Sequence, residues 1–155
     1  MTLDDRRCLA ADLCTCRRTF LGLAGAALVA ARTAHAQSPA VPDGQRLFVA
    51  EAIRLRDEAV ARGDQPYGAV LVIGGTIAGY GSSRVVSDRN PDAHAERVAL
   101  WDAQKRLGRR LLEGAAIYAT SRPCAACQQA LAEADVERML VGPAAEDAGR
   151  PRSNR

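Results

Sequence analysis

Apolar and polar positions divide the middle of the chain into one long helix and a pair of strands. Residues 45–62 place apolar side chains near helical spacing, and Gly63 ends this helix; the positions expected to face inward are Leu47, Ala50, Ile53, Val60 and Ala61. Residues 67–73 are a continuous apolar run rich in β-branched side chains. Gly74 and Gly75 separate this run from residues 76–80, so the pattern predicts a hairpin of two antiparallel strands.

The second half of the chain alternates between helical and strand patterns. Residues 94–107 have helical spacing, with Val98, Trp101 and Leu107 expected to face inward, and Gly108 ends the helix. A strand, a helix and a strand follow, over residues 115–120, 124–133 and 136–141. This order, with helical crossovers between the later strands, predicts an α/β sandwich.

Residues 1–36 have the three parts of an export signal. Arg17 and Arg18 precede an apolar stretch over residues 20–31, which is within the usual signal length of about 7–15 residues. The stretch is shorter than the about 20 apolar residues that span a bilayer. Residues 34–36 form a small-x-small cleavage pattern, which predicts cleavage after residue 36. The paired arginines resemble those of Tat signals, so we expect an exported, periplasmic protein; the alternatives are an uncleaved amphipathic anchor and an incorrectly assigned start codon.

Removing this segment leaves 119 residues, enough for one small domain. Residues 1–36 contain five Lys and Arg and three Asp and Glu, so the formal net charge falls from +3 to +1. That balance argues against a nucleic-acid partner, and the remaining sequence has no second apolar run to predict a stable membrane anchor. The predicted organisation is a signal peptide, a linker, a folded domain and a loose tail, over residues 1–36, 37–45, 46–142 and 143–155.

Few residues in the predicted domain can hold a metal ion. It retains one histidine, His94, and two cysteines, Cys124 and Cys127. The cysteines share a helix face, and the helix start favours thiolate over thiol. One imidazole and two thiolates leave one corner of a tetrahedral zinc site open, which is typical of catalytic sites. Glu96 follows His94 closely enough to accept a proton from water in that corner, so we predict zinc as cofactor and Glu96 as the catalytic residue.

The motifs HAE and PCAAC resemble the signature of the cytidine-deaminase-like superfamily of zinc deaminases. The segments YGAVLV, NPDAHAE, IYATSRPCAAC and VERMLVG occur in the family's order, and the chain is most similar to the branch of tRNA-adenosine, guanine and cytosine deaminases. The resemblance implies a three-layer α/β/α sandwich with a mixed sheet, here short at its C-terminus. It also implies a zinc-dependent aminohydrolase that releases ammonia from a nucleobase or nucleoside-like small molecule. His94, Cys124 and Cys127 would bind zinc, and Glu96 would carry protons.

The same resemblance assigns substrate contacts. The backbone N–H of Ala95 would bind a substrate carbonyl or ring nitrogen, and Tyr67 would border the pocket. Ser83 stands where relatives have a base-reading asparagine, and Arg122 stands where relatives usually have glutamate. Relatives assemble as dimers through helices beside the active site, so a homodimer is expected by analogy.

The sequence also permits two other hypotheses for the cysteine pair. A strand followed by C-x-x-C and a helix is also typical of thioredoxin-like redox domains, in which Cys124 and Cys127 would form a disulfide. That reading leaves His94 and Glu96 without a role. The second alternative is a zinc-stabilised binding domain of deaminase fold that has no turnover.

Overall fold

The computed structural model describes residues 42–153. In this range the chain forms three helices and five strands, which are α1 (Asp43–Ala61), β1 (Gly68–Ile73), β2 (Thr76–Ser82), α2 (Ala95–Leu107), β3 (Ala115–Ala119), α3 (Ala125–Glu133), β4 (Arg138–Val141) and β5 (Glu146–Gly149). The predicted signal peptide and most of the predicted linker lie outside the described residues. None of the described helices has both the length and the apolar composition needed to cross a membrane.

The strands of residues 42–153 form one mixed sheet in the order β2-β1-β3-β4-β5. β1 is antiparallel to both β2 and β3, as a hairpin requires for the first pair. β3 and β4 are parallel and are joined through α3, which is the usual way to connect parallel neighbours. The predicted mixed α/β sandwich is therefore confirmed.

The sheet is covered on both faces, and this explains the continuous apolar run of β1. Val70 and Val72 pack on the face that is covered by α1. Ala69 and Leu71 pack on the opposite face, against α2. Because successive residues of a strand point to opposite faces, a strand covered on both sides needs an apolar residue at every position. The result is the expected three-layer arrangement of helix, sheet and helix.

Helix α1 forms where it is predicted, but it buries a different face. Leu47 is 72% exposed and Val60 is 53% exposed, whereas the buried positions are Ala52, Leu55 and Ala59. Both sets recur at helical spacing, so periodicity alone does not choose between them. A Cβ atom on Gly68 of β1 would lie 2.1 Å from the carbonyl oxygen of Ala52, which shows how closely the helix approaches the strand. Small residues allow this approach, and the stripe through Ala52 is the one that packs.

The inward face of α2 is also partly different from the prediction. Val98 is buried as expected, but Trp101 is 36% exposed and Leu107 is 43% exposed. Small residues make the contact between α2 and β2, namely Ala95, Ala99 and Ala103 against Gly79 and Gly81. A Cβ atom on Gly81 would lie 1.9 Å from the carbonyl oxygen of Ala95, so only glycine fits there. Alanine and glycine contribute little to an apolar pattern. The prediction therefore followed the larger side chains of Trp101 and Leu107, which lie on the wrong face of α2.

The prediction of a loose tail after residue 142 is wrong for residues 146–149. These residues form β5, which pairs antiparallel with β4 and is the outermost strand on that side of the sheet. Ala145, immediately before the strand, is buried on the α1 side of the sheet. A strand at the edge of a sheet has unpaired N–H and C=O groups, and pairing with the following segment satisfies them. The pairing partner compensates for the weak apolar pattern of this segment.

Candidate active site

The two sequence motifs meet at one end of the sheet. β2 and β3 are both antiparallel to β1, so they run in the same direction and end at the same edge. Each is followed by a loop and a helix, and His94 is the N-cap residue of α2 while Cys124 is the N-cap residue of α3. The Sγ atom of Cys124 accepts a hydrogen bond from the backbone N–H of Cys127 at 3.4 Å. The topology therefore places all three candidate ligands at adjacent helix starts.

The distances between these ligands fit a tetrahedral zinc site. The Nδ1 atom of His94 lies 3.6 Å from Cys124 Sγ and 3.5 Å from Cys127 Sγ. All three ligand atoms lie within 4.8 Å of one another. A zinc ion bonds to nitrogen at about 2.0–2.1 Å and to sulfur at about 2.3 Å. At a tetrahedral angle, these bond lengths separate the nitrogen from the sulfur by about 3.6 Å. The two nitrogen–sulfur distances therefore match those of a zinc site, and these three residues are the ones that would hold the ion.

The environment of Cys127 also favours a cation. Cys127 has no exposed surface, whereas Cys124 is exposed. Burial, and after it the negative charge of Glu96, raises the pKa of the Cys127 thiol. A thiol in such surroundings ionises only beside a positive charge, and coordination to a metal ion deprotonates it. Both cysteines are free rather than joined in a disulfide.

Glu96 lies against this cluster. Its Oε2 atom is 3.5 Å from Cys127 Sγ, and the residue is only 5% exposed. Burial raises the pKa of the Glu96 carboxyl group, and the hydrogen bond from its own backbone N–H acts in the opposite direction. Residues two apart do not share a helix face, but His94 precedes the first turn and has an extended backbone. This change of backbone conformation brings imidazole and carboxylate to the same point.

The predicted substrate contacts differ in accessibility. Tyr67 is 40% exposed and comes just before β1. The next residue, Gly68, donates its N–H to the hydroxyl of Thr120 and accepts the N–H of Thr120. Thr120 follows β3, so Tyr67 lies at the end of the sheet that carries the candidate ligands. Ala95 is 1% exposed, and as the first residue of α2 its N–H has no acceptor within the helix. Ser83 has no exposed surface, and its hydroxyl donates to Asp64 Oδ1 at 3.2 Å. The Ser83 side chain therefore does not face a substrate in this structure, which counts against that part of the prediction.

Asp64 is a residue of this region that sequence analysis missed. It is 8% exposed and lies between α1 and β1. Burial alone would raise the pKa of its carboxyl group, but backbone N–H donors from Ser87 and Val86 outweigh this effect and lower the pKa below its usual value. In the sequence Asp64 stands between Gly63 and a proline-containing turn, where an acidic residue is normally solvated. Nothing in the local pattern signals its burial.

The fold and the site together define a zinc-binding type of domain, in which one histidine and two cysteines form a group that could hold the ion. The chain belongs to the family described as the cytidine and deoxycytidylate deaminase zinc-binding region, whose sequence model matches residues 42–143. This match confirms the superfamily that the HAE and PCAAC motifs predict, and it confirms zinc as the cofactor. The comparisons give no support to the redox alternative.

Similar curated proteins include two tRNA-specific adenosine deaminases. The chain is 34% identical to the one from Aquifex aeolicus over 97 residues, which are 63% of this chain and 64% of that protein. It is 38% identical to the one from Bacillus subtilis over 96 residues, which are 62% of this chain and 60% of that protein. The chain therefore matches less than two thirds of the length of these relatives.

Solved structures show the same fold. A structure from a study of A-to-I editing by tRNA:A34 deaminases superposes with a TM-score of 0.61 and 32% identity, covering 62% of this chain and 70% of that chain. Guanine deaminase from Bacillus subtilis superposes with a TM-score of 0.59 and 33% identity, covering 62% of each chain. These similarities confirm the predicted three-layer sandwich.

Proposed function

We propose that the chain is a zinc-dependent aminohydrolase that deaminates a nucleobase or a nucleoside-like small molecule and releases ammonia. One observation carries the proposal: the buried Glu96 carboxylate lies within 3.5 Å of a ligand of the zinc site. A carboxylate that served only stability would not need to be buried beside the Cys127 thiol, because burying an ionisable group is unfavourable. The family assignment supports the same chemistry.

The chain's own residues can perform the proton transfers of hydrolytic deamination. When bound, zinc supplies the Lewis acid that makes water nucleophilic at neutral pH. Glu96 accepts a proton from the water that adds to the amidine carbon and passes it to the adjacent ring nitrogen. It then carries the second proton to the amine, which leaves as ammonia while a carbonyl group forms. The N–H of Ala95 and the ring of Tyr67 are proposed to hold the substrate.

The charge of the chain and the names of its relatives favour different substrate classes. The near-neutral charge of residues 37–155 supports a small molecule. The names of the similar curated proteins favour a second candidate, an adenosine within tRNA. The two candidates differ in salt dependence, because binding to a polyanion weakens steeply with ionic strength whereas binding of a neutral base does not.

The experiment that tests the function compares the wild-type chain with Glu96→Gln. Both proteins are assayed for bound zinc and for ammonia released from cytosine, adenine, guanine, their nucleosides and a tRNA. We expect both to hold zinc and only the wild type to release ammonia, with a loss in the variant of about 10²–10⁴-fold. Zinc without turnover in the wild type would instead support the binding-domain alternative. Turnover of tRNA alone would overturn the small-molecule substrate.

Export and dimerisation belong to the proposal as well. For export, the paired arginines of residues 17 and 18 are replaced by lysine, and the periplasmic fraction is expected to lose the protein.

For the dimer, Trp101 and Leu111 are exposed together beside α3, and this apolar surface supports self-association. Light scattering of the wild type and of Trp101→Glu is expected to show a dimer and a monomer respectively. A monomeric wild type, or cytoplasmic retention without the substitution, would overturn the corresponding part.

A further inference from the structure

Asp64 accepts hydrogen bonds from four groups, three of which belong to the connection between β2 and α2. The carboxylate receives the hydroxyl of Ser83 at 3.2 Å and the backbone N–H groups of Val86 and Ser87 at 3.1 and 2.9 Å. The fourth donor is the N–H of the neighbouring Gln65 at 3.1 Å. All four donors point to one buried carboxylate. A carboxylate with this many donors is typically a structural group that holds the backbone segments around it in place.

The connection that Asp64 holds is closed on itself. Within residues 83–93, the N–H of Arg84 donates to the carbonyl of Ala93 at 2.9 Å. The N–H of Asn90 donates to the carbonyl of Val85 at 3.2 Å. This segment, here called the 83–93 loop, leads directly into the zinc ligand His94. The loop is therefore held by its own backbone hydrogen bonds and by the contacts that three of its residues make with Asp64.

Asp64 also connects the loop to the other side of the proposed pocket. It lies three residues before Tyr67, whose carbonyl accepts the N–H of Ser83 at 3.0 Å. Arg62 adds a hydrogen bond to the hydroxyl of Ser82 at 2.7 Å. The side chains of Arg62 and Asp64 thus hold the segment before β1 against the end of β2 and the 83–93 loop, and Asp64 supplies the buried part of that connection.

We propose that Asp64 is a positioning residue for the substrate pocket, which holds the 83–93 loop at a fixed distance from Tyr67. The inference rests on the proposed function, because the pocket is that of the proposed deaminase. The hydrogen-bond partners of Asp64 are not zinc ligands, so it would act on the pocket through the loop. An amide is a poor replacement for the carboxylate here: an NH2 group in place of Oδ2 would face the N–H of Ser87, and one in place of Oδ1 would face the other three donors.

The test compares Asp64→Asn with Asp88→Asn. Asp88 lies in the same loop, is exposed and pairs with Arg84 at 3.1 Å, so its substitution makes the same chemical change without removing the buried contacts. Hydrogen exchange is measured at the amides of Arg84 and Ala93, which do not bond to Asp64, with the amide of Leu71 in β1 as internal reference. Exchange reports local opening and does not depend on turnover.

In Asp64→Asn we expect exchange at Arg84 and Ala93 to accelerate about ten- to hundredfold relative to Leu71, the ratio expected when charge-assisted hydrogen bonds are lost. KM is expected to rise by a similar factor while kcat and the ligand-field spectrum of the cobalt-substituted protein stay unchanged. Asp88→Asn should leave the exchange at both amides, KM, kcat and the cobalt spectrum as in the wild type. If Asp64→Asn does not fold, Ser83→Ala removes one of the four bonds and should produce the same changes to a smaller extent.

Uniform acceleration of exchange at Arg84, Ala93 and Leu71 would show that Asp64 contributes only to global stability and would overturn the proposal. Local acceleration with an unchanged KM would overturn the link to substrate binding. If the wild type turns over none of the substrates, the proposed function fails, and the exchange ratio still decides whether Asp64 fixes the loop.

Discussion

The imidazole Nδ1 of His94 lies 3.5 Å from the Sγ atom of Cys127, although 33 positions separate the two residues in the chain. The contact exists because β2 and β3 end at the same sheet edge and each is followed by a helix. The zinc site is therefore a product of sheet topology. Changes at the ligands, at the packing of α2 and at the sheet edge should accordingly have different consequences.

Cys127→Ser should abolish zinc binding. The buried sulfur is replaced by a hydroxyl that is a poor zinc ligand, so we expect the metal content to fall from about one ion per chain to a small fraction of it. Because zinc binding is coupled to folding, the melting temperature should fall too. Ala126→Ser is the control, since this exposed position adds the same hydroxyl between the two cysteines and offers no ligand. Full zinc occupancy in Cys127→Ser, measured by atomic absorption, would contradict the assigned ligand set.

Gly81→Ala should destabilise the domain and weaken its hold on zinc. The added Cβ atom would lie 1.9 Å from the carbonyl oxygen of Ala95, so α2 must shift away from β2 and carry His94 with it. Overpacking of this kind decreases the free energy of unfolding by about 1–3 kcal/mol, to be measured by urea denaturation. Gly44→Ala in α1 is the control, because a Cβ atom there meets nothing within 4 Å. Equal stability of the two variants would mean that the helix does not depend on this contact.

Stability should fall in acid partly because of Asp64. Its pKa is lowered in the folded state from the unfolded value of about 3.9, so ionised Asp64 stabilises the fold above that pH. This contribution is lost as the pH falls below about 4 toward the folded pKa. At pH 7 we expect Asp64→Asn to be about 1 kcal/mol less stable than the wild type, and the difference should shrink in acid. Urea denaturation between neutral pH and about pH 2 measures both curves; parallel curves would exclude this origin.

Removing β5 should expose the edge of β4. A chain that ends at Gly142 loses the strand that pairs with Met139, Leu140 and Val141, and we expect a lower melting temperature and concentration-dependent aggregation. A chain that ends at Arg150 keeps β5 and serves as the control. Sedimentation of the two proteins over a range of concentrations distinguishes them. Identical behaviour would show that residues 143–150 contribute nothing to the sheet.

Much of the site was predictable because its chemistry depends on residue types that are rare in this chain. One histidine and two cysteines follow residue 36, so a metal site had one possible ligand set of this kind. The hairpin and both ligand-bearing helices follow from apolar runs, glycines and helical spacing near each segment. Asp64 could not be recognised in this way, because its four donors come from residues that are distant in sequence or unremarkable in type.

The amino-acid sequence by itself determined the elements from α1 to β4, the α/β class, the family and zinc as the cofactor, since each depends on local pattern or on residue chemistry. The tertiary structure decided which stripe of α1 is buried, why Trp101 is partly exposed, that residues 146–149 form a strand, and that Ser83 turns to Asp64. These outcomes depend on how closely two backbones approach and on which groups lack hydrogen-bond partners. Both conditions arise only when distant segments come together.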